Sequence, residues 1–260
     1  MKQSAFFCPE SRNIGTFQRL RLYPPLAGAS ERKEGAGIMR VLVACEESQR
    51  VCIAFRERGH EAYSCDIQEC SGGHPEWHIK GDALELIDGQ CRFQTMDGEW
   101  HCIYGAWDLL IAHPPCTYLT AASAVRLFNK NHEIKDVDRW VKAQNAKAFF
   151  MKIYGCQCAK IAIENPVPLR CFHLTKYSQI IEPYMFGDPW KKRTCLWLKR
   201  LPKLQATEMV EPKGLFVGST SKRRDKTIKE RYELNSIRDS KQRSKTFPGI
   251  ARAMAEQWGG

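Results

Sequence analysis

The segment HPPCTYLT, residues 113–120, places two prolines and then a cysteine directly after the apolar run Trp107–Ala112. Proline fixes the backbone angle φ, so Cys116 is expected to lie on a rigid turn at the end of a buried strand. A cysteine can serve there as a nucleophile, as a metal ligand or as a packing side chain. The other residues of the chain decide between these three roles.

Metal binding is the weakest of the three interpretations. The chain has 12 cysteines, but they are scattered and none forms a Cys-x-x-Cys pair. The nearest approach to a ligand cluster matches no common zinc spacing. It consists of Cys65, Cys70, His74 and His78. Because the N-terminus also lacks the order of a signal peptide, we expect reduced thiols in the cytoplasm and no bound metal.

Carboxylates at the ends of two predicted strands suggest a cofactor pocket. Asp66 ends EAYSCD, and Asp82 follows the short apolar piece WHIKG. Asp66 lies about 20 residues after Glu46, an offset typical of an acid that binds a ribose. The turn ACEESQ, residues 44–49, has no glycine and so lacks the usual phosphate cradle. A nucleoside cofactor without a pyrophosphate fits, with S-adenosylmethionine as the obvious candidate, although each aspartate alone is equally compatible with a helix cap.

Alternating strand and helix patterns predict an α/β domain with a mostly parallel sheet. In such a sheet ligands bind at the carboxyl ends of the strands, where Asp66, Asp82 and Cys116 are expected to meet. The predicted strands are RVLVAC, EAYSCD, part of WHIKGDAL, WDLLIA, KIAIENP, IIEPYMFG and TCLWL, and the predicted helices are SQRVCIAFRERG, DVDRWVKAQNAKAFFMKIYG and GIARAMAEQW.

The order of the motifs resembles that of the cytosine-C5 DNA methyltransferases, in particular their short phage and prophage members. The family's Pro-Pro-Cys loop, its Glu-Asn motif and its later basic motif correspond to Pro114–Cys116, Glu164–Asn165 and Lys191–Arg193. The resemblance covers roughly residues 39–200 and a C-terminal helix near residues 244–258. It implies a class I methyltransferase fold, which is Rossmann-like with helices on both faces of the sheet.

The resemblance also implies roles for individual residues. The catalytic residues are Cys116, Glu164 and Arg193. With the strand-end acids, the cofactor pocket would comprise Ala44, Cys45, Glu46, Asp66, Ile67, Asp82 and Pro114. The base and the DNA would contact Pro115, Asn165, Pro166, Lys191 and Arg193.

Four departures from the family pattern concern the cofactor and the target. The family's Phe-x-Gly-x-Gly turn is absent, so the methionine moiety must be held differently. Thr117 replaces the glutamine after the cysteine, and Cys195 replaces a second arginine. About fifty residues separate Arg193 from the C-terminal helix, far fewer than the usual target-recognition domain.

The chemistry of C5 methylation requires these residue types. Cytosine C5 is too poor a nucleophile to attack a sulfonium methyl group, but a thiolate added at C6 converts the ring into a reactive enamine. A free thiol has a pKa near 8.5, so Cys116 needs an electropositive setting. Glu164, protonated or sharing its proton with N3, would neutralise charge on the ring. The prolines would keep sulfur, ring and methyl donor aligned, since a misplacement of about 1 Å can cost roughly a hundredfold in rate.

The net charge of +11 favours a polyanionic partner. Much of the excess lies in residues 213–245, where Lys222, Arg223 and Arg224 are candidate phosphate contacts. A solvated basic loop is an equally good interpretation of that segment. The expected partner is double-stranded DNA with a flipped cytosine, and no apolar stretch of about 18 residues suggests a membrane span.

The expected domain organisation follows from these patterns. Residues 1–38 lack periodicity and precede Met39, so they are interpreted as a disordered or spurious extension. Residues 39–205 form the catalytic domain, and 206–243 a short basic insertion that replaces the target-recognition region. Residues 244–260 form a helix that returns to the catalytic domain.

Three other functions remain open at this point. An exocyclic amino methyltransferase shares the fold but has an Asp/Asn-Pro-Pro-aromatic loop where this chain has His113 and Cys116. A catalytically inactive nucleic-acid-binding module would explain the turn without glycine, but not the retention of both Cys116 and Glu164. A free cytidine nucleotide could replace DNA as the substrate, because the recognition region is so short.

Overall fold

The computed structural model describes residues 37–215 and 239–260. The interpretation of the N-terminal segment as an extension concerns residues almost entirely outside these ranges. The candidate phosphate contacts Lys222, Arg223 and Arg224 also lie outside the described residues.

Alternating strands and helices run through most of the described chain. The strands are β1 Arg40–Ala44, β2 Glu61–Asp66, β3 His78–Lys80, β4 Cys91–Gln94, β5 Trp100–Ile103, β6 Leu109–Ala112, β7 Ile161–Pro166, β8 Gln179–Ile181, β9 Trp190–Lys191, β10 Thr194–Lys199 and β11 Gly214–Leu215. The helices are α1 Arg50–Glu57, α2 Ala124–Leu127, α3 Val137–Tyr154, α4 Ser240–Ser244 and α5 Pro248–Trp258.

The central sheet has seven strands in the order β3-β2-β1-β6-β7-β10-β8. The first five are parallel, whereas β10 runs antiparallel to both of its neighbours. This arrangement is the class I methyltransferase fold, so the predicted fold class is confirmed. The chain moves outward from β1 to β3 and then returns to β6 on the other side of β1. Such a switch point opens a crevice at the carboxyl ends of β1 and β6.

Two predicted elements differ from the structure. The run IIEPYMFG forms a strand only up to Ile181, because Pro183 has no N–H for a ladder and begins a single 3₁₀ turn instead. The predicted helix GIARAMAEQW is confirmed as Pro248–Trp258, whereas the continuous helix from about residue 244 that the resemblance implied is interrupted before Pro248, because proline favours the first turn of a helix. The antiparallel hairpin of β4 and β5 was not anticipated.

The central strands are buried on both faces, as expected for a parallel sheet covered by helices. On one face, Val41 and Val43 of β1 pack in a cluster that includes residues of α1 and α5. On the other, Leu42 belongs to a cluster that includes Phe150 of α3 and Trp107. Because successive side chains point to opposite faces, a single strand anchors both layers.

A small separate cluster supports the chain that follows Cys116. It consists of Leu119, Leu127, Ala143 and Phe172, with partly buried neighbours around them. The guanidinium of Arg139 on α3 also donates to the carbonyl of Thr117 at 3.0 Å. The loop is therefore fixed on its outer side by packing and by a hydrogen bond.

Close backbone contact docks α5 and the segment before it against the sheet. The amide of Gly249 donates to Oδ2 of Asp188 at 2.8 Å. A Cβ atom on Gly249 would lie only 1.8 Å from the carbonyl oxygen of Phe186. Only glycine therefore allows α5 to begin here, which brings Thr246, two residues before the helix, to the edge of the crevice.

We expect Gly249→Ala to reduce the free energy of unfolding by more than about 2 kcal/mol, because the added methyl group overlaps backbone that cannot move aside easily. Urea unfolding followed by circular dichroism measures the change. Gly37→Ala is the control, since a Cβ atom there has nothing within 4 Å. Equal unfolding midpoints for the two variants would contradict this account of the docking.

Candidate active site

A cleft of about 650 Å³ opens at the carboxyl ends of the parallel strands. Polar and ionisable side chains from β2 and β7, and from the loops after β1, β2, β3 and β6, converge on it. Of the residues singled out from the sequence, those that line the cleft are Cys45, Glu46, Asp66, Ile67, Asp82, Pro114, Pro115, Cys116, Glu164 and Pro166.

Four other singled-out residues do not line the cleft. Ala44 is buried within the sheet, paired with Cys65 and Ala112. Asn165 is also buried, and its side-chain amide donates to the carbonyl of Pro114 at 3.0 Å. Lys191 and Arg193 are exposed and lie outside the cleft.

The loop that carries Cys116 is held by backbone hydrogen bonds. The amide of His113 donates to the carbonyl of Ala44 at 2.9 Å, which extends the pairing of β6 with β1 by one residue. Beyond the prolines, the amides of Leu119 and Thr120 both donate to the carbonyl of Cys116, at 3.2 and 3.3 Å. With the bond from Asn165, these contacts fix the position of the half-buried Cys116 sulfur.

The electrostatic setting of Cys116 favours the thiol in the unliganded protein. Burial raises the pKa of the Cys116 thiol, the positive charge of Lys192 opposes this change, and the negative charge of Glu164 reinforces it. Ionisation of Cys116 therefore needs a nearby positive charge. Among the described residues, Lys192 supplies one that stabilises the thiolate.

Lys192 is the basic residue of this segment that enters the cleft, whereas the sequence suggested Lys191 and Arg193. Side chains alternate along an extended chain, so Lys191 and Arg193 share one side and Lys192 takes the other. Lys192 lines the cleft, and its ammonium donates to the carbonyl of Arg243 at 3.0 Å. Strand parity could not have identified it, because residues of both parities in β10, such as Thr194 and Cys195, are buried.

Glu164 is the most constrained carboxylate of the cleft. Its Oε2 atom accepts a hydrogen bond from the Thr246 hydroxyl at 3.2 Å and lies 3.0 Å from Nδ1 of His113. Its Oε1 atom makes no hydrogen bond within the described part of the chain. Burial opposes ionisation, but the hydrogen bond with His113 and the charges of Lys192 and His113 lower the pKa of Glu164 to about 2. Without substrate, Glu164 is thus a carboxylate rather than the protonated acid that the sequence suggested.

The two strand-end aspartates have local roles as well as positions in the cleft. Oδ1 of Asp66 accepts from the amide of Gln68, and Oδ1 of Asp82 accepts from the amide of Leu84, both at 2.9 Å. The second carboxylate oxygen of each makes no hydrogen bond to the described residues. Beside them, the apolar side chain of Ile67 is 76% exposed. Two free acceptors next to an uncovered apolar side chain fit the ribose and the base of a nucleoside.

The turn ACEESQ achieves its shape without glycine. Cys45 adopts a left-handed backbone conformation with φ of 59°, which costs a residue with a side chain roughly 1 kcal/mol. The buried carboxylate of Glu46 then accepts from the first free amides of α1, those of Val51 at 2.7 Å and Cys52 at 3.2 Å. These amides are where a dinucleotide's phosphates would bind. Glu46 occupies them, so the turn fits a cofactor without a pyrophosphate.

The segment 243–246 crosses the cleft from the other side. All four of its residues line the cavity. The ammonium of Lys245 donates to the hydroxyl of Ser71 at 2.9 Å and lies 3.9 Å from a carboxylate oxygen of Glu47. The guanidinium of Arg50 donates to the carbonyl of Thr246 at 2.6 Å. The sequence did not indicate these contacts, which join positions almost 200 residues apart.

The histidines and cysteines near residue 70 are engaged individually. His78 is buried, with Nδ1 2.8 Å from the Ser64 hydroxyl and Nε2 2.9 Å from the carbonyl of Gln68. The ring of His74 stacks on Trp77, with centroids 3.9 Å apart. Residues 37–215 and 239–260 contain no group of three potential metal ligands. No helix in these ranges is both long and apolar enough to cross a membrane.

No protein-family model matches the sequence, and a search of curated proteins finds no significant relative. Partial similarity exists to a Dnmt2 methyltransferase of S. pombe, with 16% identity, a TM-score of 0.33 and coverage of 63% of this chain and 49% of that one. The methyltransferase EhMeth of Entamoeba histolytica has 12% identity and a TM-score of 0.35, with coverage of 69% of this chain and 58% of that one. A mutant DNMT2 of Spodoptera frugiperda has 13% identity and a TM-score of 0.33, with coverage of 70% of this chain and 56% of that one. The chain thus spans less than two thirds of each of these structures.

We expect Lys192→Met to raise the pKa of Cys116, because the variant loses the cation that stabilises the thiolate. The pH dependence of Cys116 alkylation by iodoacetamide, followed by peptide mass spectrometry, should shift to higher pH. Arg193→Met should leave the curve unchanged, and Lys192→Arg should restore it because the charge is kept. A shift in Arg193→Met but not in Lys192→Met would mean that the wrong cation has been assigned.

Proposed function

We propose that this chain is an S-adenosylmethionine-dependent methyltransferase that methylates cytosine C5 in DNA through a covalent bond between Cys116 and C6. One observation carries the proposal. Cys116 at the end of β6 and Glu164 at the end of β7 line the same cleft as Asp66 and Asp82, at the ends of β2 and just past β3. A nucleophile, a ring-binding acid and acceptors for a nucleoside thus face one cavity of suitable size.

Cys116 is the proposed nucleophile. Its thiol loses a proton to solvent, the sulfur bonds to C6, and the electrons of the C5–C6 double bond shift toward N3. The positive charge of Lys192 favours the thiolate, and burial keeps water from competing with the ring. The bonds that fix the loop supply the alignment that this addition requires.

Glu164 is the proposed partner of the cytosine edge. Because His113 and Thr246 hold Oε2 of Glu164, its Oε1 atom remains to bind the cytosine ring. As electrons move to N3, a proton shared between N3 and Glu164 neutralises the growing negative charge. In the final step the C5 proton passes to solvent, the electrons of the C5–H bond form the C5–C6 double bond, and the sulfur leaves as a thiolate while N3 returns its proton to Glu164.

Asp66, Asp82, Ile67 and Cys45 would hold the cofactor. S-adenosylmethionine, when bound, supplies the electrophilic methyl group that C5 attacks. The protein's own contribution is to hold the nucleoside by carboxylate oxygens beside an apolar surface. Glu46 completes the pocket by filling the phosphate position at α1.

Double-stranded DNA is the proposed substrate, with its cytosine flipped into the cleft. Arg243 and Lys245 add positive charge to the cavity wall. We propose phosphate contacts for Lys222, Arg223 and Arg224, together with base contacts for Pro115 and Pro166. A free cytidine nucleotide would meet the same catalytic residues, so release of C5 tritium from labelled DNA and from labelled nucleotide separates the two substrates.

Trapping with 5-fluorocytosine tests the reaction. Fluorine cannot leave C5 as a cation, so DNA with this base should form a complex that survives denaturant and depends on S-adenosylmethionine. A denaturing gel measures it. Cys116→Ala should abolish the complex, whereas Cys171→Ala, which changes an exposed cysteine outside the cleft, should not.

The alternatives give other results in the same experiment. An amino methyltransferase would turn over this DNA without a trapped complex, and an inactive binding module would do neither. A complex that persists in Cys116→Ala would show that another cysteine is the nucleophile.

Asp66→Asn tests the cofactor pocket. The variant keeps an oxygen for the amide of Gln68 but loses the charged acceptor proposed to bind the ribose. Cofactor affinity should fall roughly 10- to 100-fold, the usual effect of losing a charged hydrogen bond. Isothermal titration calorimetry measures it, with Asp136→Asn at the N-terminus of α3 as the matched control. Equal affinities for the two variants would contradict the placement of the pocket.

A further inference from the structure

His113 stands out in the cleft because the mechanism above leaves its ionisable ring unused. The residue lies directly before Pro114 and lines the cavity. Its side chain is only 13% exposed, and its Nδ1 atom faces Oε2 of Glu164 at 3.0 Å. Its Nε2 atom is buried and has no hydrogen-bond partner among the described residues.

We propose that His113 is a positioning residue that fixes the orientation of Glu164 and stores the proton that Glu164 passes to N3 of the cytosine. This inference rests on the proposed function and deepens it. At rest the proton lies on Nδ1 of His113, and Glu164 is a carboxylate. When the sulfur of Cys116 bonds to C6, the proton moves from Nδ1 to the Glu164 carboxyl and a proton passes from that carboxyl to N3. His113 is then neutral until the sulfur leaves and N3 returns a proton.

Geometry supports this role first. The ring nitrogen of His113 and the hydroxyl of Thr246 both meet Oε2, so the carboxylate is held by one oxygen and presents the other. Nδ1 of His113 also lies 3.5 Å from the Thr246 hydroxyl. The three side chains come from β6, β7 and the segment before α5. Their meeting is a buried polar cluster in which each contact supports the others.

The surrounding charges support the stored proton. Burial opposes protonation of His113, but its hydrogen bond and charge pairing with Glu164, and the negative charge of Glu46, raise the pKa of the imidazole, while Lys192 acts in the opposite direction. Burial raises the pKa of Glu46 itself, and the charge of His113 opposes that shift. The groups that act on the His113 ring therefore stand on the β1–α1 turn, on β7 and on the chain after β9.

The ionised state of Glu164 explains why the reaction needs a proton stored on another group. Glu164 beside Lys192 and a protonated His113 is ionised at neutral pH, so by itself it has no proton to give. Of the two groups that meet Oε2 of Glu164, the imidazole of His113 can give up a proton near neutral pH, whereas the hydroxyl of Thr246 cannot. A base near neutrality stores and releases protons most effectively at physiological pH.

His113→Asn separates the two parts of the role. The asparagine amide replaces Nδ1 as a hydrogen-bond donor to Glu164, but it cannot give up a proton. His132→Asn is the control, because His132 is exposed and has the left-handed backbone that asparagine tolerates. Both variants should bind the cofactor as the wild type does. His132→Asn should also unfold at the wild-type temperature, whereas His113→Asn should lose some thermal stability because the buried carboxylate of Glu164 loses its positive partner.

The substrates are random-sequence duplexes with either C5-tritiated cytosine or 5-azacytosine. Nitrogen at position 5 makes C6 electrophilic and accepts the charge itself, so attack needs less protonation at N3. His113→Asn should slow tritium release from cytosine roughly a hundredfold. Covalent trapping of 5-azacytosine should fall by less than about tenfold. Wild-type tritium release in His113→Asn would overturn the proton-storage role, and equal losses on both substrates would reduce His113 to a structural residue.

An imidazole titration by NMR tests the pair without any reaction. The pKa of His113 should lie above that of a free imidazole, and Glu164→Gln should lower it because the variant removes the anion that stabilises the imidazolium. An unchanged pKa would overturn the inference. Failure of the proposed function is distinguishable, since a wild-type protein that neither releases tritium nor traps 5-azacytosine refutes the methylation chemistry itself.

Discussion

The buried carboxylate of Glu164 organises the cleft. Removing a carboxylate from water is costly unless donors and positive charge replace the lost hydration. Three parts of the chain provide these: His113 after β6, Thr246 before α5 and Lys192 after β9. Their contacts with Glu164 bring the C-terminal segment and the loop of Cys116 to the same edge of the sheet. A change at any of these positions would therefore affect both the charge and the shape of the cavity.

The cofactor side of the cleft solves a different problem. A nucleotide-binding turn usually relies on glycine to reach a left-handed backbone and to let phosphate approach the helix amides. Here Cys45 adopts that backbone despite its side chain, and Glu46 fills the amides from within the protein. The energy gained from this buried hydrogen bonding offsets the strain in the turn. The helix amides at this turn are therefore occupied by a carboxylate of the protein itself.

The Cys116 loop is held in place in surroundings that do not lower the pKa of its thiol. Asn165 binds the carbonyl of Pro114, and Arg139 binds that of Thr117, so the loop is fixed before and after the cysteine. Burial nevertheless raises the pKa of the thiol. The contacts that hold the loop are thus distinct from the charges of Lys192 and Glu164 that act on the thiol.

The sequence by itself determined the fold class and the strand ends. Apolar runs of the right length fixed β1, β2, β6 and β7, and parallel strands must present their carboxyl ends at one edge, so Asp66, Cys116 and Glu164 had to converge there. The same local patterns could not identify the partners of Glu164. Thr246 lies 82 residues away from Glu164 along the chain. The two residues meet only because Gly249 lets α5 dock against the backbone of Phe186. Lys192 rather than Arg193 enters the cleft because of the side that each residue faces, and Asn165 turns to the loop rather than the cavity. Local periodicity encodes elements and their ends, whereas packing between distant segments decides which side chains meet.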